Sequence, residues 1–457
     1  MAKHSRSPSD DTGPSRVAGA KRACVAATPT PSSLAISSSW AVKRARGARR
    51  RRRHVPRRRW ADLTYALAGI IAEHALANDV SDYMSLRAVC REWRRGAVDA
   101  AVRPRGCLDR RFHPRRWIML REAAPPGPGR HRRRFLNVST GECVQKDLPE
   151  LDGHRLLGAT TEGLLALLDE STYVVRMLNP ITRQLAELPS LDTALSAETR
   201  EAISKYGFGY RYSVTGIGLA DDSTVALCLH SPHTSATVLL VARPGDDDCW
   251  TVVNVDDRRF HAAMSFSGRF YCVTHRAVMV LDVAAAADEE PPRLEEVAGI
   301  TFRVPEFWRD TELHLLESDG KLLLLHHSWR EPSRANGYHR TTKYQVYRVD
   351  LDARKVVPVR GLRDRAVFVG CRRAVSVSTG AFPTIRSNSI YLGYDLSERT
   401  YGGVVAYNLH GRKISERCKG RRWDDDDGWA WARPCGIAEY LSWYISDTDG
   451  SKDYEEI

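Results

Sequence analysis

Three features are lacking in this 457-residue sequence, and each absence excludes a class of protein. No run approaches the roughly 18 apolar residues that a membrane-spanning helix needs, so we expect no membrane partner. No basic segment precedes an apolar core as in a secretory signal, which predicts a cytosolic, nuclear or organellar protein. The ten cysteines include no C-x-x-C pair, so we expect free thiols rather than a disulfide framework or a zinc site.

Catalytic signatures are lacking as well. The sequence contains no G-x-x-x-x-G-K-[ST], G-x-S-x-G or H-E-x-x-H motif and no EF-hand loop. His326 and His327 follow an apolar run, where we expect the end of a strand rather than a pair of metal ligands. The acidic run at residues 424–427 lacks the spaced glycine and glutamate of a calcium loop. The sequence therefore predicts a non-catalytic protein with no metal site and no cofactor.

The positive charge of the chain is confined to one segment. The formal net charge is +13, yet residues 1–59 carry sixteen lysines and arginines against two aspartates, a net charge of +14. The net charge of the remaining residues is therefore −1, which gives no reason to expect that they bind a polyanion. Since residues 1–59 are rich in Ser, Pro, Ala and Arg without a periodic apolar pattern, we expect them to form a disordered tail. Nucleic acid, if bound at all, would contact this tail.

An arginine block ends the tail and has three interpretations. It could be a nuclear or nucleolar address, an organellar transit peptide, or a basic segment without a dedicated role. A nuclear address predicts a nuclear and/or cytoplasmic protein, and targeting to an organelle is the alternative. The candidate targeting residues are Arg49, Arg50, Arg51, Arg52, Arg53, Arg57, Arg58 and Arg59.

Residues 60–103 change to a helical pattern. One apolar stripe, at Leu63, Leu67, Ile70 and Ile71, has the spacing of a helix face. A polar break follows, in which Ser81 is a candidate N-cap, and a second stripe comprises Leu86, Val89, Cys90 and Trp93. The pattern predicts a hairpin of two short helices. About 40 residues build a poor core alone, so part of the apolar face should contact the next domain or a partner chain.

The rest of the chain has β character. We expect residues 104–134 to form a linker that includes a first strand at Trp117, Ile118 and Met119, and residues 446–457 to form a polar C-terminal tail. Between them, residues 135–445 alternate short apolar runs with turn residues, as in a sandwich, barrel or propeller. The clearest runs are residues 164–168, 174–178, 225–229, 238–241, 322–325 and 404–407.

An internal repeat favours the propeller. Residues 136–141 lead to Leu148, and the similar residues 178–183 lead to Leu188. A period near 40 with about four strands per unit is typical of a propeller. Weaker strand–turn–strand echoes follow at residues 241–253, 280–297, 347–359 and 407–416. The sequence thus predicts a mainly β protein with a C-terminal β-propeller of about six kelch-like blades, and a β-sandwich with coincidental repeats is the alternative.

These residues resemble a known protein family. The hairpin is similar to a plant F-box, and residues 135–445 look like the β-propeller domain that follows the F-box in a large plant family abundant in grasses. The F-box resemblance rests on Trp60, Ala61, Asp62 and Leu63 and on residues 86–93. The propeller resemblance rests on the two repeats and on residues 368–371, 376–378, 382–383, 387–392 and 431–435.

The resemblance implies a monomeric adaptor of a cullin–RING ubiquitin ligase. The F-box would bind the Skp-type linker subunit and through it a cullin, and the propeller would bind a substrate protein. The implied partner-binding residues are Leu63, Leu67, Ile70, Ile71, Leu86, Val89, Cys90 and Trp93. One departure counts against this function: F-boxes usually carry proline directly after the opening leucine, and this chain has Thr64. The alternative is therefore a propeller protein with a degenerate F-box, sent to the nucleus or an organelle by its tail to act as a nucleic-acid or protein scaffold.

Overall fold

The computed structural model describes residues 63–98, 108–120, 131–245, 248–256, 258–283, 291–302, 311–330, 341–396, 403–409, 413–417 and 436–446. All of them lie in the second of two units of the chain, Arg59–Ile457. The predictions for the tail at 1–59, with its candidate targeting arginines, for the acidic run at 424–427 and for residues 431–435 and 447–457 fall outside these ranges. No described helix is both long enough and apolar enough to cross a membrane.

Three helices, not two, precede the sheets: α1 (Tyr65–Asn78), α2 (Val80–Val89) and α3 (Arg91–Gly96). We call residues 63–98, which contain these helices, the helical unit. The predicted second stripe ran through Cys90, but this residue adopts an extended backbone that ends α2. Its sulfur accepts a hydrogen bond from the Trp93 N–H at 3.5 Å and so caps α3. The predicted N-cap of α2 was also wrong: Asp79 is the cap and accepts from the Ser81 N–H at 2.7 Å.

The inward face of α1 is built from small residues rather than from the predicted stripe. Ala68 and Ala72 are buried, whereas Leu67 and Ile70 lie on the opposite side of the helix and are exposed. Close approach of α1 to α3 explains this choice. A Cβ added at Gly96 would lie 2.4 Å from the Tyr65 carbonyl oxygen, so only small side chains fit at the contact.

The first sheet is short and antiparallel, and a 3-10 helix at Arg110–Phe112 precedes it. Its strands are β1 (Trp117–Met119), β2 (Arg132–Asn137) and β3 (Cys143–Asp147). The first strand predicted from the sequence is therefore confirmed. The side chains of Ile118 and Leu136 pack against Phe368 and Tyr391 near the end of the chain, so residues far apart in sequence share a core.

Four regular units of four antiparallel strands follow. The first comprises β4 (His154–Ala159), β5 (Leu165–Asp169), β6 (Val174–Leu178) and β7 (Leu185–Ser190). Helices α4 (Ala197–Tyr206) and α5 (Phe208–Arg211) connect it to the second, which comprises β8 (Ser213–Leu219), β9 (Val225–His230), β10 (Thr237–Ala242) and β11 (Thr251–Val253).

The third and fourth units complete this regular series. The third comprises β12 (Ala262–Phe266), β13 (Arg269–Val273), β14 (Ala277–Asp282) and β15 (Arg293–Gly299). The fourth comprises β16 (Thr311–Ser318), β17 (Lys321–Arg330), β18 (Thr341–Asp350) and β19 (Lys355–Pro358). A single parallel bridge between Gly299 and Lys355 joins the two into one sheet of eight strands.

A five-stranded sheet and a helix end the described chain. The strands are β20 (Arg365–Val369), β21 (Ala374–Ser378), β22 (Ser389–Leu392), β23 (Gly403–Asn408) and β24 (Lys413–Arg417), followed by α6 (Ile437–Ile445). β20 and β22 pair in parallel, which departs from the antiparallel order of a regular blade. The expected mainly β propeller is confirmed, but the described residues form four regular blades rather than about six, since this sheet and β1–β3 are irregular.

The first strands of neighbouring blades lie side by side and line a central channel. Gly216 and Gly218 of β8 lie against Ala263 and Ser265 of β12, so these two strands run in the same direction. The Ser318 hydroxyl at the end of β16 lies 2.8 Å from that of Ser376 in β21. The absence of a Cβ on the glycines lets the strands approach closely at the channel wall.

The sequence repeat corresponds to one recurring turn. Asn137 ends β2, and Asn179 directly follows β6. Each side-chain oxygen accepts from two backbone N–H groups of its turn, at 2.9 and 3.2 Å for Asn137 and at 3.1 Å twice for Asn179. Gly141 and Arg183 then occupy equivalent positions with positive φ. The predicted repeat is thus confirmed, and the four weaker echoes are antiparallel strand pairs as well.

Candidate functional site

A single carboxylate attaches the helical unit to the propeller. Besides capping α2, Asp79 accepts from the Trp117 indole N–H at 2.9 Å and from the Asn137 side-chain amide at 3.1 Å. Trp117 and Asn137 pair across β1 and β2, so the strand register presents both donors together. Because hydrogen bonds to an ionised carboxylate are among the stronger ones in proteins, Asp79 determines where α2 begins and where the unit lies.

The second repeat turn provides another attachment point. The side-chain amide of Asn179 donates to the Phe112 carbonyl at 2.8 Å, and Asn179 is fully buried. Next to it, Ile181 and Phe112 pack into a core with Tyr83 and Leu86 of α2. The expectation that the helices need a second surface is met within this chain, because the propeller supplies part of their core.

The eight predicted partner-binding residues fall into three groups. Ile71, Leu86 and Trp93 belong to the core of the helical unit. Leu63 and Cys90 are intermediate in exposure. The remaining three, Leu67, Ile70 and Val89, are 50%, 55% and 62% exposed. Only this third group presents large aliphatic side chains to solvent.

The central channel contains a cavity lined by residues of its wall strands and their turns. Its volume is about 690 Å³, which lies within the range of roughly 300–1,000 Å³ found for ligand pockets. We name its two ends by their position relative to the helical unit. β4 and β6 run in the same direction within their blade, and Ile181, just after β6, packs in one core with Tyr83 and Leu86 of the helical unit. The ends of the first strands therefore form the helix-side mouth, and their beginnings form the far mouth.

The helix-side mouth carries both carboxylates and arginines. The carboxylates are Glu162, Asp221, Asp222, Glu317 and Asp319, and the arginines are Arg110, Arg115 and Arg116. Burial raises the pKa of Glu162, although the Ser265 hydroxyl donates to it at 2.9 Å. The Asp222 carboxylate pairs with Arg110 at 3.0 Å. Asp221 instead accepts from the backbone N–H groups of Ser223 and Thr224, both at 2.6 Å, and so shapes the turn after β8.

The far mouth carries histidines and arginines. We define it by His230, Arg259, His261, Arg372 and Arg373. Burial, followed by the positive charges of Arg372 and Arg259, lowers the pKa of His230. Burial and then the imidazoles of His314 and His275 lower the pKa of His261 to about 4.

The carboxylate of Glu312, which is only partly buried, lies near the far mouth. His327 and His314 approach Glu312 to 3.4 and 3.6 Å. Although burial acts to raise its pKa, these two imidazoles lower the pKa of Glu312 to about 2. The prediction that His326 and His327 end a strand was wrong, because both lie inside β17, where they pair with β16 and β18. None of the described His, Cys, Asp and Glu side chains forms a group that could hold a metal ion.

Sequence reasoning missed the polar residues that position the helices. The local pattern at Asp79 indicated only a polar break, and the two repeated asparagines indicated only turns. The recurrence of asparagine at one position of both repeats was an available signal, since a side chain repeated in a turn indicates a structural role. The link between Asp79 and Trp117 spans 38 residues, and no local pattern predicts it.

Comparison with known families now identifies the propeller. The KIB1-4 beta-propeller family matches residues 135–408, which is more than half of the chain and includes all four regular blades. The chain belongs to the KIB1-4 beta-propeller family. The match begins in β2 and ends with β23, so the family relationship applies to the propeller and not to the helical unit.

The other comparisons add little to this family assignment. No curated protein matches the chain. Among solved structures, dihydro-heme d1 dehydrogenase NirN in complex with DHE is similar, with 13% identity and a TM-score of 0.27 over 66% of this chain and 54% of that one. The chain thus spans about half the length of that dehydrogenase. A TM-score this low carries no argument about the function of a KIB1-4 beta-propeller.

Proposed function

We propose that this protein is a non-catalytic substrate-recognition adaptor of a cullin–RING ubiquitin ligase. In this proposal the helical unit is an F-box that binds a Skp-type linker subunit, and the KIB1-4 beta-propeller binds the substrate protein. The observation that carries it is the outward face of α1, where Leu67 and Ile70 are half exposed while the inward face is filled by alanine and glycine. A helix that buries its small residues and exposes its large ones is suited to contact a partner.

The energetic argument concerns these two side chains. Burying a large aliphatic side chain contributes roughly 1.5–3 kcal/mol, so Leu67 and Ile70 together could supply a large part of a stable interface. Val89, at the end of α2, adds a third exposed aliphatic group. The other side of the helical unit packs on the propeller through Ile181 and Phe112, which leaves this face for a partner.

A pull-down with purified linker subunit tests the proposal. The variant Leu67→Asp/Ile70→Asp should lose more than about 100-fold in affinity, because each aspartate replaces buried apolar area by a charge. The matched control is Leu185→Asp/Val252→Asp, which changes two exposed apolar residues of the propeller strands β7 and β11. Trp93 is unsuitable for this test because it belongs to the core of the helical unit. No binding by the unmutated chain, or equal loss in both variants, would exclude the adaptor function.

A second function rests on Thr64, which occupies the N-cap of α1 without a side-chain capping bond. With a weak F-box, the protein would be a scaffold whose basic tail sends it to the nucleus or an organelle. Replacing the arginines at 49–53 and 57–59 by glutamine in a fluorescent fusion should abolish nuclear accumulation if the tail is a nuclear address. Intact linker binding by that variant favours the adaptor, whereas nucleic-acid binding lost with the tail charge favours the scaffold.

A further inference from the structure

The part of the channel next to the far mouth has walls of small and apolar side chains. They come from the first strands of three blades and from the start of β21, and they are Leu157, Gly158, Val214, Gly216, Ala262 and Ala374. Thr215 also lines this part, but its hydroxyl donates to the Cys228 carbonyl at 3.3 Å. Because glycine and alanine leave space that larger residues would fill, this part of the cavity suits the apolar body of a ligand.

One charged side chain reaches into this apolar part. Arg373 lines the cavity from the turn before β21, and one of its terminal nitrogens lies 3.9 Å from a Cβ placed on Gly158 of β4. Among the described residues, its guanidinium has no hydrogen-bond or ion-pair partner. Arg372 lines the cavity as well, but it is engaged in a further interaction. Arg373 therefore has its donors available for a ligand in the cavity.

The turn that carries Arg373 is held in place by its neighbours. The Arg373 carbonyl accepts from the Gly370 N–H at 2.8 Å, which closes the turn between β20 and β21. Asp395 accepts from the Cys371 N–H at 2.9 Å. A Cβ added at Gly370 would collide with the Ile445 carbonyl oxygen of α6, so the turn packs closely against that helix. A guanidinium on a fixed turn loses little conformational freedom when it binds a ligand.

The carboxylates of the cavity lie away from this guanidinium. Those among the lining residues are at the helix-side mouth, in the turns after β4 and β8 and at the end of β16, where Arg110, Arg115 and Arg116 lie too. Glu312, near the far mouth, is not part of the cavity lining, and His314 and His327 approach it. An anion bound to Arg373 therefore has apolar groups, rather than lining carboxylates, as its neighbours in the cavity wall.

We propose that the part of the channel next to the far mouth binds a small organic carboxylate with an apolar body, and that its carboxylate pairs with the Arg373 guanidinium. Ligand pockets are mostly apolar and contain a few polar groups that fix the orientation of the ligand. A guanidinium presents two parallel N–H donors that match the two oxygens of a carboxylate. This site goes beyond the adaptor function and does not depend on linker binding.

Isothermal titration calorimetry with the full chain tests the site without any linker subunit. The probe is cinnamate, and its neutral amide, which has the same apolar body, is the control ligand. Arg373→Gln should weaken cinnamate binding by about tenfold and leave amide binding unchanged, as expected for the loss of one charge-assisted pair. The matched variant Arg116→Gln removes the same charge from the helix-side mouth of the same cavity and should change neither affinity.

A second variant fills the space in front of the guanidinium. A Cβ added at Gly158 would lie 3.4 Å from the Ile217 side chain and 3.9 Å from that of Arg373, so valine fits the strand and projects into the cavity. Gly158→Val should therefore abolish binding of both cinnamate and its amide, and circular dichroism verifies its fold. If this variant does not fold, the comparison of Arg373→Gln with Arg116→Gln still decides the proposal.

The outcomes of the titrations separate the site from general attraction of anions. Loss of cinnamate binding in Arg373→Gln without loss in Arg116→Gln supports the proposal. No binding of cinnamate, equal affinities of the acid and the amide, or equal losses in the two arginine variants would overturn it. The basic tail contributes the same background to every variant, so it does not produce a loss confined to one of them.

Discussion

The two ends of the propeller use polar side chains in different ways. At the helix-side end, Asp79 accepts from Trp117 and Asn137, and Asn179 donates to the Phe112 carbonyl, so these polar side chains hold the helical unit in one position. At the far mouth, Arg259 and Arg372 are exposed, and His230 and His261 are half-buried. Polar groups thus determine the assembly of this chain at one end, whereas at the other they surround the opening of the channel. Four experiments test this difference between the two ends and the packing of the helical unit.

The largest effect is expected at Asp79. Asp79→Ala removes the cap of α2 and the acceptor for Trp117 and Asn137, which should lower the free energy of local opening of the helical unit by about 4 kcal/mol. Hydrogen exchange of the α2 amides measures this quantity. Asp82→Ala is the control, since Asp82 accepts only an exposed hydrogen bond from the Asn78 side chain in the described structure. Equal effects of the two substitutions would contradict the attachment role.

The second-largest effect is a pH dependence of the free energy of unfolding, which arises from His326 near the far mouth. Burial lowers the pKa of His326 to about 4, below its usual value of 6.5, so protonation favours the unfolded chain. The free energy of unfolding should be highest above pH 6.5 and fall by roughly 3 kcal/mol as the pH decreases to about 4. His326→Leu should flatten this part of a denaturation series, because it removes the group and retains the contact with Phe302. His74→Leu, at an exposed position of α1, should leave the slope unchanged.

A third test concerns the contact between α1 and α3. Gly96→Ala places a Cβ 2.4 Å from the Tyr65 carbonyl oxygen, and we expect a loss of about 2 kcal/mol in stability of the helical unit despite the better helix propensity of alanine. Chemical denaturation, with hydrogen exchange of the α1 amides as the readout, measures this loss of stability. Gly436→Ala is the control, since a Cβ there would meet nothing within 4 Å. An unchanged α1 would show that its small-residue face is not closely packed.

The smallest effect concerns Thr64. Its φ of −61° is compatible with proline, and its side chain makes no capping bond, so Thr64→Pro should stabilise the start of α1 by about 0.5–1 kcal/mol. If the helical unit binds the linker subunit, this substitution should also raise that affinity a few-fold in isothermal titration. Thr64→Ala is the control and should change neither quantity. A weaker affinity of the proline variant would show that the entry to α1 must bend on binding.

Local patterns predicted much of this molecule. The apolar runs at 174–178 and 225–229 are strands β6 and β9, and the internal repeat alone located both asparagine turns. The patterns failed where the packing of two segments against each other decides which side chains are buried. The stripe at Leu63, Leu67, Ile70 and Ile71 predicted one apolar face of α1, but the narrow contact with α3 selects alanine and glycine for the inward side and leaves Leu67 and Ile70 exposed. Periodicity identifies an apolar face without showing what that face contacts.

Sequence patterns therefore predict the N-terminal helical segment, the β character, the recurring turns and the propeller class, because each depends on residues within a few positions of one another. The tertiary structure alone shows that Leu67 is exposed, that Asp79 joins the helices to the propeller, and that Ser265 donates to Glu162. These contacts join residues separated by tens to more than a hundred positions. Which residues meet in these contacts depends on how the blades pack around the channel, and no local sequence pattern predicts this packing.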